Sequence, residues 1–218
     1  MRILKITKQS IKDAVAILKQ GGTVVYPTET AYALGCDAIN ASATRKIFKI
    51  KKRPKEKNLP VICATKKQVE KFFQMPPLAW RLWLKFYPKP LSVILFSRHC
   101  EEPKATRQSS IKRDCFASLA MTADGTPVRI SSNKTARDLA RKLGRPIVST
   151  SANVSGEPAM YDAKEIATAF SRKKNKPDLI LDAGKLPHRS SSTIVKISKN
   201  VKSPTLNIEV MRQGEVKI

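Results

Sequence analysis

The sequence predicts an α/β domain, a twisted and mostly mixed sheet with helices packed against it. Three observations carry that expectation. Short valine- and isoleucine-rich runs alternate along the chain with windows of helical period. The helical windows open on capping residues and close on glycine or proline. No repeat of about 20–50 residues is present. A chain of 218 residues with 41% hydrophobic side chains can close one substantial core, so residues 1–218 are expected to form a single domain.

Each element has its own signal. Residues 2–6 are expected to form a short strand. Residues 10–20, SIKDAVAILKQ, set Ile11, Ala14, Ile17 and Leu18 on one helical face, with Ser10 as N-cap and Gly21 as C-cap. A strand at 23–26 follows and meets Pro27. A helix from Ser42 turns Ala43, Ile47 and Ile50 inward and ends in a basic run before Pro54, which cannot continue it. LPVICA, residues 59–64, has the composition of a buried strand. Residues 66–73 and 77–86 are helical, the second rich in Trp80, Leu82, Trp83 and Phe86.

Strands are expected at 91–96 and 126–130, and a helix at 135–144 closed by Gly144. PIVSTS, residues 146–151, is expected to be one strand running into SANVSGEP. Asp162, with Glu165 three residues on, opens a helix at 163–170. Strands at 178–182, 192–198 and 205–211 finish the chain. Residues 98–123 have no period and separate two strands that a short loop could join. They are expected to be an inserted surface loop, a functional lid being the alternative.

Composition removes several classes of function. No run approaches the ~18 apolar residues of a membrane span, and the N-terminal MRILKITK has no continuous apolar core of a secretory signal. A cytoplasmic protein is expected. Cys36, Cys63, Cys100 and Cys115 form no CxxC pair, and only His99 and His188 could join them. That spacing argues against zinc and for free thiols in a reducing compartment. The 42 Lys and Arg against 17 Asp and Glu give a net charge of +25, which attracts polyanions. Solvated lysine-rich helix faces are the competing explanation.

Four polar clusters interrupt strand or helix ends. They are Thr28-Glu29-Thr30 in YPTETAYALGC, the basic residues Lys51, Arg53 and Lys57, the pair Thr126 and Arg129, and Ser149, Ser151, Asn153 and Ser155 in STSANVSG. Taken singly, each is also explained as a turn or a cap. Ligands of open α/β sheets collect beyond strand ends, where short hydroxyl and amide groups bind phosphate or amino-acid oxygens. Neither GxGxxG nor GxxxxGK[ST] is present among the eight glycines, so side chains and strand-end amides must replace a glycine-rich loop.

In their order and spacing, GGTVVYPTETAYALGCDA, KIFKIKKRPKEKNLPV, DGTPVRI and GRPIVSTSANVSGEP resemble the YrdC-like domain of threonylcarbamoyl-AMP synthases, in the short single-domain form. The likeness covers the chain except about 98–123. It implies a concave basic cleft and synthesis of threonylcarbamoyl-AMP from L-threonine, bicarbonate and ATP, with Mg²⁺ accompanying the ATP. It also implies downstream tRNA threonylcarbamoyl-transfer proteins, which place the group on adenosine 37 of tRNAs that read ANN codons.

By the same resemblance Lys51, Arg53, Lys57, Thr126, Ser151, Asn153 and Arg212 would contact ATP, with Lys51 and Arg53 carrying catalysis. Thr30, Arg129, Ser149 and Ser192 would hold threonine. No protein side chain is expected to bind metal. The chain departs from the family pattern at Ile62, where histidine is frequent, at Ala159, where serine is, and at Pro88-Lys89-Pro90 in place of PGP. The chemistry demands positioning and charge neutralisation rather than a protein nucleophile. Glu29 is conceivable as a general base, and a structural role competes with it. The rival reading is a non-catalytic module that binds double-stranded RNA or tRNA through its phosphates.

Overall fold

The computed structural model describes residues 1–54, 57–98, 125–199 and 206–218. Apart from Arg98, the expected insertion at 98–123 lies outside the described residues.

Twelve strands and six helices are described, and the mixed sheet is divided into two. The five-stranded sheet runs β1 (Arg2–Lys5), β10 (Leu179–Asp182), β2 (Val24–Pro27), β3 (Tyr32–Gly35) and β9 (Thr150–Ser151). Its first three strands are parallel, and β3 turns back antiparallel with Pro27 opposite Tyr32. The seven-stranded sheet runs β12 (Leu206–Arg212), β11 (Thr193–Lys199), β6 (Leu91–Ser97), β7 (Thr126–Ile130), β4 (Val61–Cys63) and β8 (Ile147–Val148). Its seventh strand, β5 (Phe73–Gln74), pairs with β6.

The helices are α1 (Lys8–Lys19), α2 (Ala41–Lys51), α3 (Lys66–Phe72), α4 (Pro77–Phe86), α5 (Lys134–Leu143) and α6 (Ala163–Ser171). Their ends follow capping chemistry. Asn40 and Asn133 each accept two backbone N–H groups, and Asp162 accepts one from Lys164. Gly144 takes φ 72° and closes α5, a left-handed turn that costs glycine nothing.

Several boundaries differ from expectation: β3 and β5 are strands where none was expected, Phe73 leaves the expected helix 66–73 for β5, and β4 is shorter than 59–64. α1 starts earlier because Thr7, not Ser10, is its N-cap; Ser10 is the third helical residue and returns a bond to the Thr7 N–H. PIVSTS is two strands, because Val148 continues the second sheet while Thr150 joins the first. Ser149 is the crossing point.

Two apolar layers hold the sheets. α1 and α5 cover one face of the first sheet with Leu18, Leu139 and Leu143 over Val24, Tyr26 and Leu181. Val25 and Leu34 face the other way, into a larger core with Ile47, Phe73, Trp83, Val93 and Phe170. β2 and β4 are buried on both faces, which is why their sequences are continuously apolar rather than alternating. Cys36 and Cys63 are free and buried, and burial pushes both thiols up, so they behave as small apolar residues. Among the described residues no helix is long and apolar enough to cross a membrane.

Candidate active site

A cavity of about 320 Å³ opens where the two sheets meet. The turn after β2, the residues after α2, the end of β7, the β8–β9 crossing, the loop before β11 and the end of β12 all reach it. It brings together eight of the predicted site residues: Thr30, Arg53, Arg129, Ser149, Ser151, Asn153, Ser192 and Arg212.

The PTET turn is tied by a hydroxyl. Thr28 Oγ1 donates to Ala31 O at 2.7 Å and accepts the N–H groups of Thr30 and Ala31, which fixes the turn and leaves Thr30 at the cavity wall. Glu29, between them, points behind the wall. Its Oε1 lies 3.2 Å from Arg129 Nε, out of line for a hydrogen bond, and its Oε2 accepts from the Ser131 hydroxyl. Glu29 does not line the cavity and faces Arg129 from behind the wall.

Arg129 is 6% exposed and donates from Nη2 to Ser149 Oγ at 3.2 Å. Carboxylate on one side and hydroxyl on the other hold the guanidinium plane in one orientation. Arg212 reaches back from the end of β12 to donate to Ser192 O and Oγ at 2.7 and 2.9 Å. Desolvation, followed by the like charges of Arg129 and Arg53, lowers its pKa. Arg53 donates to Asn58 O at 2.9 Å, and desolvation lowers its pKa too. Guanidinium groups gathered around one cavity form a site suited to anions.

Three predicted residues stand apart from the lining. Lys51 is 1% exposed and lies beneath the wall, its ammonium engaged with Ser151 O, Asn153 O and Asn153 Oδ1. Lys57 is exposed and meets Arg53 through its backbone carbonyl, which accepts from Arg53 Nε at 3.4 Å. Thr126 is buried at the far end of β7, opposite Leu95 and three residues from Arg129. At ~3.3 Å per residue, that is about 10 Å along the strand.

Sequence reasoning missed Glu157, Tyr161, Arg189 and Ser191, all in the lining. Tyr161 stacks against His188 at 3.9 Å and donates to Arg189 O, so the loop before β11 is fastened across the cavity. None of these sits on a periodic element; Glu157 falls in the SANVSGEP stretch, and the polar run HRSSS holds Arg189 and Ser191. Gly214 was missed as well. Its backbone crosses Ser191–Thr193 so closely that a Cβ would overlap the Ser191 carbonyl and stand 2.6 Å from Thr193 N. Of the family departures, Ile62 is buried in the core, away from the cavity, while Ala159 lines it.

Two joined mixed sheets with a guanidinium-lined cavity between them define the class, a YrdC-like α/β domain. The Sua5/YciO/YrdC family model, described as telomere recombination, matches residues 16–214, and the chain belongs to this family. It is 34% identical over 176 residues to the threonylcarbamoyl-AMP synthase of Coxiella burnetii strain RSA 493, covering 80% of this chain and 85% of the relative. Pyrococcus abyssi Sua5, solved in complex with L-threonine, superposes with TM-score 0.75 at 27% identity over 98% of this chain, which spans 56% of that protein. Escherichia coli YciO superposes with TM-score 0.75 at 25% identity, covering 99% of this chain and 95% of that one.

Proposed function

We propose that this protein synthesises threonylcarbamoyl-AMP from L-threonine, bicarbonate and ATP with release of pyrophosphate, and that threonylcarbamoyl-AMP supplies the tRNA modification. The observation that carries this reading is the convergence of Arg53, Arg129, Arg189 and Arg212 on one small, hydroxyl-lined cavity. Such a cavity suits two anionic partners, a carboxylate and a polyphosphate, and threonine bears the one while ATP bears the other. The Sua5 complex with L-threonine and the synthase relatives support the same substrates.

The chemistry proceeds in two steps. The deprotonated amine of threonine attacks the bicarbonate carbon, forming an N–C bond and losing water to give a carbamate. A carbamate oxygen then attacks the α-phosphorus of ATP, and the bond to pyrophosphate breaks. Arg129, held flat by Glu29 and Ser149, would grip the threonine carboxylate as a fork, with Thr30 and Ser192 beside it. Arg53 and Arg212 would neutralise the phosphates and the charge that builds on the leaving pyrophosphate.

Mg²⁺ would enter with the ATP. Among the described residues Glu157 is the one carboxylate of the lining, and the other polar groups there are guanidinium, hydroxyl and amide, so the ion's ligands would be chiefly phosphate oxygens and water. The unstable product would pass to tRNA threonylcarbamoyl-transfer proteins.

Pyrophosphate release that requires both threonine and bicarbonate tests the reading. Release independent of threonine, or none at all from folded protein, would refute it. RNA binding without pyrophosphate release would instead favour the non-catalytic module.

A further inference from the structure

The three residues that end α2 and follow it have three different surroundings. Lys51 turns into the protein, 1% exposed. Lys52 takes a left-handed φ of 50° and stands in solvent. Arg53 then lines the cavity. The left-handed turn sends two cations two residues apart to opposite sides of one wall.

Lys51 is saturated. An ammonium has three protons, and this one meets Ser151 O, Asn153 O and Asn153 Oδ1 at 2.5, 2.8 and 2.8 Å. The Lys51 carbonyl also accepts the Ser155 N–H at 2.8 Å. One residue therefore ties the whole 151–155 turn to the end of α2. To reach a ligand, the ammonium would have to leave three acceptors, two of them backbone carbonyls, without a partner.

We infer that Lys51 is a positioning residue that holds the Ser151–Asn153 wall in place through its ammonium, and that Arg53 alone of the pair meets the anionic ligand. The ligand half of this inference rests on the proposed function; the tie itself does not. Burial, with help from the like charge of Arg53 and against the pull of Glu157, brings the ammonium down to about 8. Arg53 and Glu157 are the charged groups that face it. The tie is thus complete at neutral pH and loses its charge and one of its three protons as pH rises through about 8.

Amide hydrogen exchange of residues 151–157, followed from about pH 7 to about pH 9.5 and corrected for intrinsic rates, tests the tie without any ligand. Wild-type protection is expected to step down through about pH 8. In Lys51→Met it should be about tenfold lower throughout, with no step. Titration with AMP and with ATP tests the ligand half. Lys51→Met should weaken both nucleotides by the same factor, whereas Arg53→Ala should weaken ATP more than AMP and leave exchange at about pH 7 unchanged.

Wild-type protection of residues 151–157 in Lys51→Met would overturn the tie, and Lys51→Gln serves the same arm should the methionine variant fail to fold. Weakened ATP with unchanged AMP and intact loop protection in Lys51→Met would make Lys51 a phosphate contact and overturn the inference. A wild-type protein that binds neither nucleotide would refute the proposed function instead, with the exchange result still standing on its own.

Discussion

Glu29 Oε1 stands 3.2 Å from Arg129 Nε with both side chains almost wholly buried. A charge pair this deep is held by mutual need: each group would be costly to leave alone. Glu29→Ala is expected to cost ~3–5 kcal/mol of stability in urea denaturation, because the Arg129 charge stays buried without its partner. Glu29→Gln keeps the shape and should cost less, while raising the KM for threonine as the guanidinium loses its fixed plane. Unchanged stability in Glu29→Ala would show that the pair is not the prop described.

Arg129→Lys should fail in threonine recognition nearly as badly as Arg129→Ala. A lysine offers one point charge, whereas Arg129 pairs with Glu29 through Nε, with Ser149 through Nη2, and keeps its fork in the cavity. Steady-state kinetics across threonine concentrations decides it. A lysine variant with the wild-type KM would place the carboxylate elsewhere.

Arg53→Ala and Arg212→Ala should each reduce threonine-dependent pyrophosphate release by about tenfold or more, since a charged hydrogen bond is worth ~1.5–3 kcal/mol. Neither sits in the apolar core, so the melting temperature should barely move. Full activity in either variant would remove that arginine from the phosphate side.

Much of this was legible before any coordinates, and the pattern of what was missed is physical. Eight predicted site residues meet in one cavity because they sit at strand ends and turns, where polar residues interrupt an apolar run. Lys51 could not be told from Arg53 on sequence, since the difference lies in the left-handed φ of Lys52 between them. Arg189 and Tyr161 were not assigned because their loops have no period, and a ring stack of Tyr161 with His188 brings them to the cavity. The early start of α1 was missed because Ser10 reads as an N-cap, whereas Thr7, three residues earlier, is the cap and Ser10 completes the capping box with it. The division into two sheets turned on pairing partners across the chain, which local pattern does not encode.

Gly214→Ala should damage the site without touching a cavity side chain. A Cβ there overlaps the Ser191 carbonyl, so Ser192 or the tail that carries Arg212 must shift. The Thr193 hydroxyl fixes that tail by donating to Val216 O and accepting the N–H groups of Gly214 and Val216, which leaves little room to yield. A loss of activity of about tenfold is expected with the sheets intact by circular dichroism. Wild-type kinetics would mean that the tail relaxes freely.

Replacing residues 99–122 by a short Gly/Ser linker should leave folding and pyrophosphate release nearly unchanged. β6 and β7 are antiparallel neighbours with Leu95 opposite Thr126, so a short connection can join them. Closing the longer loop costs only ~1–2 kcal/mol more, since the cost grows with the logarithm of length. Lost activity in a folded deletion variant would assign the segment a part in the reaction.

The single-residue step at Ser149 has a consequence for how this site can vary between relatives. β8 ends at Val148 in one sheet and β9 begins at Thr150 in the other, with Leu34 opposite Thr150 and Ala33 opposite Ser151. Changing the letter at 149 removes one hydroxyl from Arg129. Changing the count there reverses which face Thr150 and Ser151 present and unseats the turn that follows. Divergence here should therefore accumulate as substitutions, with insertions and deletions confined to connections between elements.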